Sequence, residues 1–135
     1  MSALIDRMNP SALPDASKIG YSQIAIAHPG PLAFVSGQVA WRPDGSPAPV
    51  SLAEQTAIVI ENLKGALDAL QATTDDIAQM RIYMTDLRGE TQEIAMGAIL
   101  GFLNGAQPSL TGIGVAALAG PDLQIEVEMV VQVAA

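Results

Sequence analysis

The chain has 135 residues, half of them hydrophobic, and its 6 Lys and Arg against 14 Asp and Glu give a net charge of −8. This length suits a single domain over residues 1–135, large enough to bury a core without covalent staples. The acidic balance repels phosphate backbones and argues against nucleic-acid binding. Because there is no cysteine, the chain has no disulfide framework and no Cys-type zinc site.

Composition also bears on compartment and assembly. The N-terminal sequence MSALIDRMNP lacks the apolar region of a secretory signal, and no apolar run is long enough to predict a transmembrane helix. Together with the absence of cysteine, these features predict a cytoplasmic protein. Charged residues are scarce, at 15%, which predicts that part of the apolar surface closes a homo-oligomer interface.

Apolar alternation and turn residues predict the first elements of the chain. Residues 1–20 are expected to form an extended, irregular arm. Residues 21–27 and 32–41 are predicted strands, separated by a His-Pro-Gly-Pro turn. The triplet Ser36-Gly37-Gln38 places a glycine inside the second strand. Such a glycine is typical of a bulge or of a close approach by another backbone or a ligand.

Two predicted helices follow, with a strand between them. Residues 51–72 repeat apolar side chains at helical spacing, and Ser51 with Glu54 forms the Ser-x-x-Glu capping box that begins such a helix. Residues 77–87 alternate as a strand. Residues 91–103 return to helical spacing, so they predict a second amphipathic helix.

Two apolar strands are predicted to close the chain, residues 111–118 and 123–133, with an Ala-Gly-Pro-Asp turn between them. In the second of them, Ile, Val and Met alternate with Glu126 and Glu128. The simplest interpretation of alternating acids is the solvated face of an antiparallel sheet. The other interpretation is that a carboxylate in a strand otherwise built for burial has a chemical role.

The element order β-β-α-β-α-β-β predicts an α+β fold in which one mixed sheet carries both helices on one face. No sequence remains to cover the other face of the sheet, so the simplest cover is a second copy of the chain. His28, the only histidine, is interpreted as a surface turn residue, and no metal site is predicted. Gly112 and Gly114 are interpreted as strand glycines, because they do not open a helix as a phosphate-binding loop does.

Polar side chains inside the apolar strands mark the candidate site. A polar group buried at a subunit interface costs free energy unless it is paired, so it is either satisfied structurally or kept for a ligand. The residues alone therefore predict a polar pocket between apolar strands, located between subunits. Its candidate members are Tyr21, the triplet Ser36-Gly37-Gln38, Arg81, Glu126 and Glu128.

Segments along nearly the whole chain, in the right order, resemble the Rid (reactive intermediate deaminase) family, also called the endoribonuclease L-PSP family. They are IGYSQ at 19–23, FVSGQV at 34–39, QT at 55–56, ENLK at 61–64, IYMTDL at 82–87 and IEVE at 125–128. The resemblance implies a chorismate-mutase-like fold and a homotrimer with small-molecule pockets between subunits. It also implies a deaminase, a hydrolase that converts enamines or imines to 2-keto acids and ammonia without a metal or cofactor.

The family's functional residues carry over one by one. Glu126 matches the acid that positions or activates the attacking water, while Tyr21, Ser36 and Gly37 match pocket residues. Deaminating members have arginine in a Pro-Ala-Arg-Ser motif, which resembles Pro108-Ser109-Leu110-Thr111 here. The resemblance thus places Leu110 in the substrate-binding pocket, where the family's arginine grips the substrate carboxylate. Leucine cannot make that pair.

Three functional hypotheses remain open. The first is a trimer whose intersubunit pocket hydrolyses an imine or enamine other than 2-aminoacrylate, with Glu126 as general acid and base. The alternative is a non-enzymatic ligand-binding or chaperone-like trimer. The ribonuclease activity behind the family's older name is disfavoured by the charge of −8 and the lack of a basic stripe.

Arg81 would replace the missing arginine only if it pointed into the pocket; the simpler interpretation is a paired or solvent-facing strand residue.

Overall fold

The computed structural model describes residues 4–134 and has the expected alternation of strands and helices. Two short 3-10 turns, Ser17–Ile19 and Thr74–Asp76, accompany the main elements. The main elements are β1 (Ile5–Met8), β2 (Ile24–Ala27), β3 (Leu32–Gln38), α1 (Leu52–Leu70), β4 (Ile77–Met84), α2 (Gly89–Leu103), β5 (Ser109–Gly114) and β6 (Ile125–Gln132). Within the described range, no helix combines the length and the apolar character that a membrane span requires.

The α+β fold class is confirmed, with a mixed sheet and two helices packed on one of its faces. The sheet has four strands in the order β3-β6-β4-β5. Strand β6 runs antiparallel to both of its neighbours, and β5 runs parallel to β4. The fifth strand expected in this sheet, β2, instead pairs with β1 in a separate two-stranded ribbon.

The prediction of an irregular arm over residues 1–20 is wrong for residues 5–8, which form β1; residues 1–3 lie outside the described part. Ile5 pairs with Ala27 and is buried. The Arg7 side chain donates hydrogen bonds to the carbonyl oxygens of Ile77, at 3.1 Å, and Asp75, at 2.7 Å. A four-residue strand is too short for a periodic signal, and these long-range contacts stabilise it.

The two closing strands are not neighbours, because β4 lies between them. The first was expected over residues 111–118 but ends at Gly114. The linker 115–124 then carries the chain past β4 to the start of β6. Local alternation identifies a strand but not its partner, so the sequence pattern gave no sign of this insertion.

The core lies between the sheet and the helices. The predicted cap of α1 is confirmed, since the Ser51 hydroxyl accepts a hydrogen bond from the Glu54 amide at 3.1 Å. The predicted alternation of β6 is also confirmed, because its apolar side chains are buried and Glu126 and Glu128 project from the opposite face. The core residues include Leu63 and Leu67 of α1, Ile99 and Leu103 of α2, Met80 and Ile82 of β4, and Ile125, Val127, Met129 and Val131 of β6.

Candidate functional site

A cavity of about 530 Å³ lies between the helix-bearing face of the sheet and α2. The sheet contributes Ile82, Met84, Leu110 and Gly112, and the segment before β2 contributes Ile19 and Tyr21. The remaining wall is Leu87, Gly89, Gln92, Glu93, Met96 and Leu100.

Strand register explains why Leu110 enters this cavity. In the parallel pair of β4 and β5, Leu110 lies beside Met80, a core residue, and paired residues share a face of the sheet. Tyr21 lines the same cavity because its neighbour Ser22 is hydrogen-bonded to the residues just before β5. The Ser22 amide donates to the Pro108 carbonyl at 3.0 Å, and its hydroxyl donates to the Gln107 carbonyl at 2.6 Å. The structure thus brings Tyr21 and Leu110 together.

The cavity walls carry little charge. In the described part of the chain, Glu93 is the one lining residue with a charged side chain, and no Lys, Arg or His lines the cavity. Arg88 lies between two lining residues in sequence, but its guanidinium is 2.8 Å from Asp86 and 3.6 Å from Glu90. Hydrogen bonding to Asp86 raises the pKa of Arg88, and the same contact lowers the pKa of Asp86. Arg88 thus pairs with exposed carboxylates next to it in sequence and does not line the cavity.

Glu126 lies on the opposite face of the sheet, which we call the open face. Its carboxylate lies against Gly37 of β3 so closely that a Cβ atom at Gly37 would overlap it. The register of β3 and β6 shifts between Val35 and Gln38, which is the irregularity that the glycine triplet predicts. Ser36 is exposed beside Gly37, and its carbonyl accepts a hydrogen bond from the Gln38 amide group at 2.9 Å.

The five predicted site residues therefore form two groups within one chain. Tyr21 and Leu110 line the cavity on the helix-bearing face, whereas Gly37 and Glu126 meet on the open face, next to Ser36. Because the sheet separates the two groups, one chain does not bring Leu110 and Glu126 to a common ligand.

Glu128, which had no expected role, belongs to a polar cluster on the open face. The Tyr83 hydroxyl donates a hydrogen bond to the Glu128 carboxylate, and this contact raises the pKa of Tyr83. A guanidinium nitrogen of Arg81 lies 3.7 Å from the same carboxylate. Arg81 thus faces away from the Leu110 cavity, in agreement with the interpretation of a paired strand arginine.

Sequence reasoning missed Gln92 and Glu93, because polar positions on a helix give no sign of a cavity until the packing of α2 is known.

His28 is exposed, as expected, and its Nε2 lies 3.1 Å from a carboxylate oxygen of Asp6. Over residues 4–134, no cluster of His, Cys, Asp and Glu has the composition of a metal site.

Comparisons with known proteins assign the family. A family model described as endoribonuclease L-PSP matches residues 12–133. The chain is 36% identical over 103 residues to the RutC family protein YjgH of Escherichia coli K12, covering 76% of this chain and 78% of that protein. The structure of YyfB from Yersinia pestis, a conserved Rid family protein of unknown function, matches with a TM-score of 0.89 at 30% identity, covering 96% of this chain and 99% of that one. This chain belongs to the Rid, or endoribonuclease L-PSP, family.

Proposed function

We propose that the chain forms a homotrimer in which the apolar cavity of one copy meets the Glu126 carboxylate of its neighbour. The observation that carries this proposal is the separation of Leu110 and Glu126 by the sheet. A site that uses both groups requires two copies, with the cavity of one placed against the open face of the other.

The open face has the character of an interface. Phe34 is 75% exposed and Leu32 is 45% exposed on β3, and burial of apolar surface contributes about 25 cal/mol per Å². The charges of Arg81 and Glu128 are already paired, which reduces the cost of taking them out of water. A second copy of this chain is the simplest partner for such a face.

The proposed reaction is hydrolysis of an imine or enamine to a carbonyl compound and ammonia. Glu126 removes a proton from the water that attacks the C=N carbon, and later returns it to the departing nitrogen. The reaction uses no metal or cofactor. Leu110 offers no bidentate partner for a substrate carboxylate, so the substrate is an imine other than 2-aminoacrylate.

Competition with a trapping agent tests this reaction. Amino-acid and amine oxidases would generate a panel of imines in the presence of semicarbazide, and 2-aminoacrylate would be formed in a parallel assay. We expect the protein to lower semicarbazone formation from at least one imine, with little activity toward 2-aminoacrylate. Glu126→Gln should abolish this activity and leave the trimer intact. Robust turnover of 2-aminoacrylate, or full activity of Glu126→Gln, would overturn the proposal.

A non-enzymatic ligand-binding trimer is the second candidate. It is favoured by the walls of the cavity, where Tyr21, Gln92 and Glu93 are the polar side chains among mostly apolar ones. Such walls hold an apolar ligand without activating it. This candidate predicts binding to the cavity with no turnover of any imine in the panel, and equal binding by the Glu126→Gln variant.

A further inference from the structure

We propose that the cavity selects an apolar cation, namely an iminium ion that has no carboxylate group, and that Glu93 determines this specificity. The inference rests on the proposed function for its catalytic consequence. The binding preference itself follows from the residues of this chain that line the cavity, so it is measurable whether or not turnover occurs.

Charge favours a cation over an anion. Glu93, which is exposed to solvent, carries the only formal charge among the described lining residues, and Leu110 is partly buried against the core. An anionic ligand would give up its hydration without gaining a cationic partner. A cationic ligand would instead meet the Glu93 carboxylate and the aromatic ring of Tyr21, both of which attract positive charge.

Two nearby basic residues do not reverse this preference. Arg88 is held by Asp86 and Glu90 on either side of it in sequence. Lys18 lines an adjoining groove, which shares Ile19 and Leu100 with the cavity. Neither side chain lines the cavity.

The size of the cavity favours a ligand larger than a three-carbon acid. A volume of about 530 Å³ falls within the range of small-molecule pockets. Met84 and Met96 are unbranched and adapt to varied apolar groups. A Cβ atom at Gly112 would meet nothing within 4 Å, so the strand leaves open space beside Leu110.

The chemistry of such a substrate balances without an oxidant. Water oxygen bonds to the iminium carbon, the π pair of the C=N bond moves to nitrogen, and the water proton passes to Glu126 of the neighbouring copy. That proton then goes to nitrogen, and the C–N bond breaks as an oxygen lone pair forms the C=O bond. The hydroxyl proton passes to Glu126 and from there to the departing ammonia, so the products are a carbonyl compound and ammonium. An iminium ion without a carboxylate is the direct product of two-electron oxidation of an amine, which is therefore the class of reaction that supplies it.

Three ligands that share a branched apolar tail test the preference: isoamylamine, isovaleramide and isovalerate. They would be titrated by calorimetry or ligand-observed NMR at constant ionic strength. We expect isoamylamine to bind about tenfold more tightly than isovalerate, with isovaleramide between them.

Substitutions in the cavity distinguish the effect of charge on ligand binding from the effect of cavity volume. Glu93→Gln should weaken isoamylamine binding and leave isovaleramide unchanged, whereas Glu61→Gln, on the exposed side of α1, removes the same charge elsewhere and should change neither. Leu110→Arg should reverse the order of isoamylamine and isovalerate. Gly112→Leu should fill the cavity and abolish binding of all three, while Gly101→Ala, which also meets open space, should not.

The inference is overturned if isovalerate binds most tightly, if none of the three binds, or if Glu93→Gln leaves isoamylamine affinity unchanged. The proposed function fails by different results, namely a monomeric protein or imine hydrolysis that is unaffected by Glu126→Gln. A preference for isoamylamine that persists in a catalytically silent protein would support the cavity assignment alone.

Discussion

Leu110 and Glu126 lie on opposite faces of one sheet, in strands that both flank β4. Leu110 shares its face with the core residue Met80, whereas Glu126 shares the open face with Tyr83. Substitutions at the two positions should therefore act independently in an isolated chain. In the proposed trimer they would become coupled, because there the cavity of one copy and Glu126 of its neighbour would contact the same ligand.

The first prediction concerns assembly. Phe34→Glu places a charge on the exposed apolar part of the open face, and burying that unpaired charge between copies would cost more than the interface gains. We expect the wild-type protein to be trimeric by light scattering, and this variant to be folded but monomeric at the same concentration.

A matched substitution controls for the added charge. Ile94 is also an exposed apolar residue, at 42%, but it lies on α2, away from the open face. Ile94→Glu should leave the mass in solution unchanged. A trimeric Phe34→Glu variant would show that the open face is not the interface.

The second prediction concerns the contact between Gly37 and Glu126. Gly37→Ala would place a methyl group where the Glu126 side chain lies, and that side chain, being flexible, should move aside while the fold persists. We expect kcat/KM for an accepted imine to fall at least about tenfold, with an unchanged trimer and a displaced carboxylate in a crystal structure.

Gly65→Ala supplies the comparison, because a Cβ atom there meets open space on α1. Replacing a helical glycine stabilises a protein by about 0.5–1 kcal/mol, so this variant should keep full activity. Full activity in Gly37→Ala, with Glu126 in its original place, would contradict the packing described above.

Local patterns of apolar residues were sufficient to predict most elements of the fold. The helices, β4 and the alternation of β6 follow from the spacing of apolar residues, which depends on neighbours in sequence. The pairing of β1 with β2, and the position of β4 between β5 and β6, depend on contacts between distant segments. Such contacts leave no periodic trace in the strands themselves.

The candidate site likewise combines features that local sequence patterns predict with features that depend on contacts between distant segments. Alternation along β6 was enough to place Glu126 on the face opposite the core. The glycine in β3 predicted a bulge or a close approach by a backbone or a ligand; the register shifts there, and the approaching group is the Glu126 side chain instead. The separation of Leu110 from Glu126 required the parallel register of β4 and β5. Glu93 could be found only after the packing of α2 showed which of its turns faces the cavity.

The third prediction concerns stability. Gln55 is fully buried, and its side chain donates to the carbonyl oxygens of Pro49 and Asp122, both at 2.8 Å, and accepts from the Gln124 amide at 2.9 Å. Gln55→Leu keeps the volume but leaves these backbone groups unpaired, which should cost about 3 kcal/mol. Urea denaturation at fixed protein concentration measures the change.

A substitution at an exposed position of the same helix is the control for this loss of stability. Lys64→Leu introduces the same side chain on the solvent side of α1, and its effect should stay within about 0.5 kcal/mol. Equal stability of Gln55→Leu and the wild-type protein would mean that the three hydrogen bonds contribute nothing to holding α1 against Pro49 and the linker 115–124.

The last prediction concerns the ionisation of Tyr83. Its hydrogen bond to the Glu128 carboxylate raises the pKa of the phenol above the ordinary tyrosine value of about 10. The stabilisation that this bond provides is therefore present at neutral pH and is lost as the pH rises through the raised pKa. Absorbance of tyrosinate during alkaline titration reports the transition.

Tyr83→Phe, which leaves Tyr21 as the only tyrosine, identifies the transition that belongs to Tyr83, and Glu128→Gln should move it to lower pH. If Tyr83 titrates at or below about 10 in the wild-type protein, its phenol does not share a proton with Glu128 in solution.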